Sequence, residues 1–192
     1  KTKNKENLNK KNLITKDIVF DDPRLTVNEL HKGLKEINFN NRINSLNQMK
    51  VLVKRTYNIR KMTGMIIGKN WENIKGEKKN ELIKVMEEYI ASNYIARFSK
   101  ISKVTFNNNN VRKIQKDFKI VNAELKINND IINIDYLLFN TDGEWKIFDV
   151  LLDNSISEVA TKKSEFSNFI SGQNIDKLIN AIKKKNSQLK SG

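Results

Sequence analysis

Apolar positions recur along this chain in two rhythms: a spacing of three to four residues over the first half and the last quarter, and alternation in between. Leu30, Leu34 and Ile37 predict a helix just after Asp22-Pro23, with Thr26 and Glu29 as a T-x-x-E capping box. A second helical region over about 44–67 carries Leu46, Met49, Leu52, Val53, Ile59, Met62 and Ile66, and stops at Gly68, where a left-handed cap suits glycine. Trp71 follows as a packing anchor. A third helix over about 77–98 is marked by Leu82, Met86, Tyr89, Ile90, Tyr94 and Phe98, with Glu87 and Glu88 turned to water.

From Ile101 the period changes to two. Val121, Ala123, Leu125 and Ile127 alternate with Asn122, Glu124 and Lys126; Ile132, Ile134, Tyr136 and Leu138 alternate with Asn133 and Asp135. Asn128-Asn129-Asp130 and Asp142-Gly143 are turn signals, the second a strong hairpin dipeptide. The stretch from Trp145 to Leu152 is apolar on both faces apart from Asp149. Helical spacing returns with Val159, Phe166, Phe169 and Ile170 before Gly172, then with Ile175, Leu178, Ile179 and Ile182 before Lys183-Lys184-Lys185. Helices, a four-stranded antiparallel meander and C-terminal helices make an α+β layout. The expected organisation is a loose basic arm over 1–13, one α+β domain over 14–185 and a polar tail over 186–192.

Composition narrows the chemistry. With 192 residues the chain buries roughly 70% of its unfolded surface as one domain. Cysteine is absent and His31 is the one histidine, which excludes disulfides, thiolate and His-based metal sites, cysteine nucleophiles and a serine triad. No apolar run approaches the roughly 20 residues of a membrane span. The net charge of +14 comes mainly from lysine, and the aromatics sit at apolar-periodic positions. A nucleic-acid binder concentrates arginine and aromatics on one face, so nucleic acid is not an expected partner; mild attraction to anionic surfaces, lipid headgroups included, is.

No phosphate loop, dinucleotide fingerprint, zinc-protease motif or nucleophile elbow is present, and no metal or cofactor is expected. His31 reads as a surface or boundary residue. Asp135 alternates onto a polar face and reads as solvent-exposed. Asp149 shares a face with Trp145 and Ile147, and a structural carboxylate is its ordinary fate. What the chain has in excess is apolar surface, which either fills a core or encloses a hollow; periodicity leaves both open.

Four segments resemble one family. Met62 through Trp71 (M-T-G-M-I-I-G-K-N-W) looks like the "LG..W" segment of the MlaC family, also called the toluene-tolerance or ABC-transporter auxiliary family. The helix ending E-E-Y-I-A-S-N-Y-I-A-R-F is similar to that family's F-x-x-x-L-x-x-x-Y helix. G-E-W-K-I-F-D-V-L-L-D-N-S-I-S-E-V-A-T-K-K-S-E-F resembles the stretch in which W-x-I-x-D-V leads to G-V-S and an R-x-x-F helix, and N-I-D-K-L-I-N-A-I matches the closing G-x-x-x-L-I-x-x-L. Together they span about 22–185 in order. Asn154 stands where the family usually has glycine, which suggests a different turn, and Lys163 where it usually has arginine.

The resemblance implies a nuclear transport factor 2-like cone, with a strongly curved four-stranded sheet, and a periplasmic lipid carrier whose signal peptide is not in this chain. It implies a monomer that ferries phospholipid or another acyl lipid between an outer-membrane lipoprotein complex and an inner-membrane ABC transporter complex, with transient membrane contact and no enzymatic step. On that reading the expected lining is Met62 and Ile66 from the helices; Val104, Val121, Leu125, Ile134, Tyr136, Leu138, Ile147, Phe148, Val150 and Leu152 from the sheet; and Val159, Phe166 and Ile170 beyond it. Two rivals stand beside it: an enzyme on the same cone using Asp149, and an interaction module with a filled core and a basic surface.

Overall fold

In the computed structural model, which describes residues 19–101, 103–172 and 174–191, the first helix starts at Asp22. The Arg24 backbone N–H donates to the Asp22 carboxylate at 2.8 Å, and Pro23 takes the first helical position, where its missing N–H is not needed. Helix α1 therefore spans Pro23–Glu36. The capping box read at Thr26 and Glu29 is not formed: Thr26 lies inside the helix, fully buried, and its hydroxyl donates to the Trp145 carbonyl at 2.6 Å. The basic arm expected over 1–13 lies outside the described residues.

The expected second helix is two. Helix α2 spans Arg42–Thr56 and α3 spans Ile59–Ile67. Between them Tyr57 turns extended and bridges to Ile147, while the Asn58 N–H donates to the Ile147 carbonyl at 2.7 Å. The Asn58 side chain then accepts the Lys61 N–H at 3.0 Å and caps α3. Neither proline nor glycine marks this break, so helical spacing alone passed through it. Gly68 ends α3 with φ 70° and ψ −137°, a conformation open to glycine. A 3₁₀ turn (Gly68–Asn73) leads to α4 (Gly76–Phe98), the longest helix.

The sheet is antiparallel, in the order β1 (Val104–Gln115), β2 (Phe118–Ile127), β3 (Asp130–Thr141), β4 (Glu144–Leu152), β5 (Ile156–Ser157). Asp142 and Gly143 both take positive φ, as a two-residue hairpin requires. The expected four strands are joined by a fifth: Asp153 and Asn154 turn the chain at φ 47° and 58°, and Ile156–Ser157 pairs back on Leu151–Leu152. Asparagine tolerates the left-handed region, so Asn154 fills a position that glycine also suits.

A bulge resolves the strand that read as apolar on both faces. Leu137 pairs with Asp149 and Leu138 with Ile147, which leaves Phe148 as an extra residue. The inward face therefore runs Trp145, Ile147, then Val150 and Leu152, all packed in or against the main core. Phe148 leaves that set and meets Phe118, with ring centroids 5.6 Å apart.

Helices α1 to α4 cover one face of the sheet. The C-terminal helical region divides into α5 (Glu158–Glu165) and α6 (Ser167–Ser171), followed by α7 (Ile175–Ser191). The stretch expected as a polar tail from 186 is the end of α7. Asn186 is buried there and donates to the Val85 carbonyl at 3.1 Å, and Lys183 and Lys190 pair with Glu81 and Glu88 of α4 at 2.8 and 2.6 Å.

Two polar residues are more deeply placed than their patterns suggest. Asp135 is 4% exposed, where solvent exposure was expected. It accepts from Arg112 at 3.1 Å and from the cross-strand Asn122 amide, so these two polar side chains cover it. His31 is 3% exposed, not a boundary residue. Its ring stacks on Phe106 at 3.9 Å, and Nε2 lies 2.8 Å from the Tyr136 hydroxyl. Long-range contacts from the sheet bury both, and local spacing carries no trace of them.

Candidate functional site: an apolar cavity with a charged end

Between α4 and the inward face of the sheet lies a cavity of about 270 Å³. One stripe of α4 forms a wall: Ile90, Asn93, Tyr94, Arg97 and Phe98 recur at the three- and four-residue steps that share a helix face. Inward residues of β2 to β4 form the facing wall, with Leu125, Ile127, Ile132, Ile134, Tyr136, Val150 and Leu152. Leu34, Tyr57, Met62, Ile101 and Phe106 complete the apolar lining, and Glu158 and Lys162 of α5 enter at one side.

The charges of that lining form one cluster. The Glu158 carboxylate lies 2.8 Å from Arg97 and 2.6 Å from Lys162. The side chains of Glu158 and Lys162 are 13% and 6% exposed, whereas that of Arg97 is 51% exposed, so the cluster joins the cavity to solvent. Burial alone pushes the Glu158 carboxyl up, but Lys162 and Arg97 outweigh it and hold it below the usual glutamate value. A carboxylate depressed in this way stabilises the fold fully above its unfolded value. That contribution is lost as pH falls through the folded one. Urea melts from pH 7 down to pH 3 are therefore expected to show stability falling below about pH 4.5, with a shallower fall in Glu158→Gln. An equal acid dependence in both proteins would refute this role.

Deeper in, the polar atoms are tyrosine hydroxyls. Those of Tyr57 and Tyr94 lie 2.6 Å apart, and that of Tyr136 meets His31. Burial raises all three hydroxyl pKa values, that of Tyr94 to about 12, so all are neutral donors at physiological pH.

Of the expected lining residues, Met62, Leu125, Ile134, Tyr136, Val150 and Leu152 meet at this cavity. The others lie elsewhere. Ile66, Val121, Leu138 and Ile147 are fully buried in solid core, and Val104 packs against it half-buried. Phe148 sits in the bulge, Val159 is buried on α5, and Phe166 packs edge-on to Tyr89 at 5.5 Å. Ile170 borders a separate groove between α6, α7 and the 3₁₀ turn. Sequence reasoning missed Arg97, Glu158 and Lys162. The available signal was that Asn93 and Arg97 fall on the otherwise apolar stripe of α4.

Asp149 is not part of this lining. It is 5% exposed and accepts from the backbone N–H groups of Val150 (2.8 Å) and Val159 (3.0 Å) and from the Ser157 hydroxyl (2.6 Å). It therefore ties β4 to the start of α5. Among the described residues no group of three or more His, Cys, Asp or Glu is placed to hold a metal ion, and no helix is long and apolar enough to cross a membrane.

The family model described as MlaC protein matches residues 26–184 of this chain. A solved structure, the phospholipid-binding protein from Ralstonia solanacearum in complex with a phospholipid, is similar over 86% of this chain and 95% of that one, with a TM-score of 0.72 and 17% identity. At that identity the likeness shows a shared fold. No curated protein matches.

Proposed function

Because the chain belongs to the MlaC protein family, we propose that it is a phospholipid-binding carrier that holds acyl chains in the cavity between α4 and the sheet. The observation that carries this reading is the cavity itself: an apolar hollow of about 270 Å³ with its charges gathered at one end. Alkyl chains need no directional partner, and each buried methylene contributes about 0.8 kcal/mol. A tail of some 16 carbons thus supplies roughly 12 kcal/mol before association and ordering costs. The volume lies just below the ~300–1,000 Å³ range of small-molecule sites, so a full-length tail enters with repacking of lining side chains such as Met62 and Ile90.

The rest of the family expectation belongs to the same proposal: a monomer, a single lipid-binding domain and a sheet curved as a nuclear transport factor 2-like cone. Register shifts between β1 and β2 and between β3 and β4 support the curvature, since bulges bend and coil a sheet. The carrier would work in the periplasm and pass lipid between an outer-membrane lipoprotein complex and an inner-membrane ABC transporter complex. Such a shuttle makes and breaks no covalent bond. The structural engagement of Asp149 supports that part of the reading over an enzyme on the same fold.

Native mass spectrometry of freshly purified protein, with organic extraction of what co-purifies, tests the proposal. The expected result is a protein–lipid adduct with phospholipid in the extract. Empty protein that takes up no phospholipid from vesicles, and whose only binding is to acidic proteins and vanishes at moderate salt, would instead establish the interaction module.

A further inference from the structure

Within the cavity, the Tyr57 and Tyr94 hydroxyls form a pair 2.6 Å apart. Two hydroxyls bring two protons, and one hydrogen bond between them uses one. Whichever oxygen donates, the proton of the other remains. Among the described residues neither hydroxyl makes a second hydrogen bond. Both residues line an apolar hollow, where an unmade donor is costly. A ligand acceptor oxygen at that point would relieve it.

The place of the pair says which oxygen. Along α4, Ile90, Tyr94 and Arg97 share the stripe that faces the cavity. At about 1.5 Å of rise per residue, Tyr94 stands roughly 6 Å beyond Ile90 and roughly 4.5 Å before Arg97. The wall thus reads apolar, hydroxyl, then cation, and Arg97 belongs to the cluster with Glu158 and Lys162. A glycerophospholipid carries alkyl tail, ester carbonyl and phosphate in the same order.

We propose that the spare hydroxyl proton of the Tyr57–Tyr94 pair donates to an acyl ester carbonyl of the bound lipid, so that this cavity selects ester-linked over ether-linked phospholipids. The inference rests on the lipid-carrier reading above and adds the linkage chemistry to it. An ether analogue has the same tails and headgroup but lacks the carbonyl acceptor.

The test is competition, by native mass spectrometry, between dipalmitoyl phosphatidylethanolamine and its di-O-hexadecyl ether analogue. Wild-type protein is expected to favour the ester about three- to tenfold, the worth of one neutral hydrogen bond. Tyr57→Phe leaves one hydroxyl and should keep a preference, whereas the double variant Tyr57→Phe/Tyr94→Phe should bind both lipids equally. No preference in the wild type overturns the inference without any variant, as does a double variant that keeps the full preference. Both results leave the carrier reading standing. If the wild type takes up neither lipid, the carrier reading itself falls, and the inference with it.

Discussion

Val150→Trp is expected to abolish lipid co-purification while leaving a folded protein with a near-normal melting temperature. Val150 lines the cavity and is 6% exposed, so an indole at this position projects into the hollow. It occupies space that a tail would take and removes up to the roughly 12 kcal/mol that a 16-carbon chain gains by burial. The protein itself is spared, because overpacking costs about 1–3 kcal/mol only where no void accepts the added atoms. Leu138→Trp is the informative contrast. Strand alternation treats Leu138 and Val150 alike, yet Leu138 is 0% exposed and lies in solid core opposite Ile147. That variant should lose about 1–3 kcal/mol or more of stability. Chemical melts and native mass spectra of both variants decide the matter. Val150→Trp protein with its full complement of lipid would show that tails bind elsewhere; if that variant is too unstable to purify, Ile134→Trp puts the same question from β3.

The second large effect concerns Asp149. Asp149→Ala should destabilise the fold by about 3 kcal/mol, because it strands the buried N–H groups of Val150 and Val159 and removes the acceptor of the Ser157 hydroxyl. For a domain of this size that is a fall in melting temperature of about 6–12 °C. Asp149→Asn keeps one acceptor oxygen and should lose less than half as much. Lipid stoichiometry in the folded fraction of either variant should match the wild type, because Asp149 does not line the cavity. A normal melting temperature combined with lost ligand turnover would reverse the assignment and reinstate the enzyme.

Both predictions depend on a feature that alternation cannot show. The stretch from Trp145 to Leu152 reads as apolar on two faces because one extra residue, Phe148, resets the pleat between Ile147 and Val150. In the same way α2 and α3 read as one helix, since Tyr57 and Asn58 interrupt the backbone without interrupting the apolar spacing. The break exists because Tyr57 and Asn58 reach Ile147 of β4. His31 and Asp135 show the same dependence: each is buried by partners more than ten positions away, Tyr136 and Phe106 for one, Arg112 and Asn122 for the other.

Sequence periodicity alone determined the α+β order, the meander from β1 to β4, the stop at Gly68, the Asp142-Gly143 hairpin and the boundaries of α4. These are local matters: which side of an element is apolar, and where the backbone needs glycine or a cap. Tertiary structure decided that the inward faces of α4 and the sheet stand apart and leave a hollow. It also decided that Arg97, Glu158 and Lys162 meet at one end of it, and that two tyrosine hydroxyls hydrogen-bond to each other inside. Whether facing side chains fill the space between them depends on their summed volumes and on the distance between elements far apart in the chain. No spacing within one element encodes that sum.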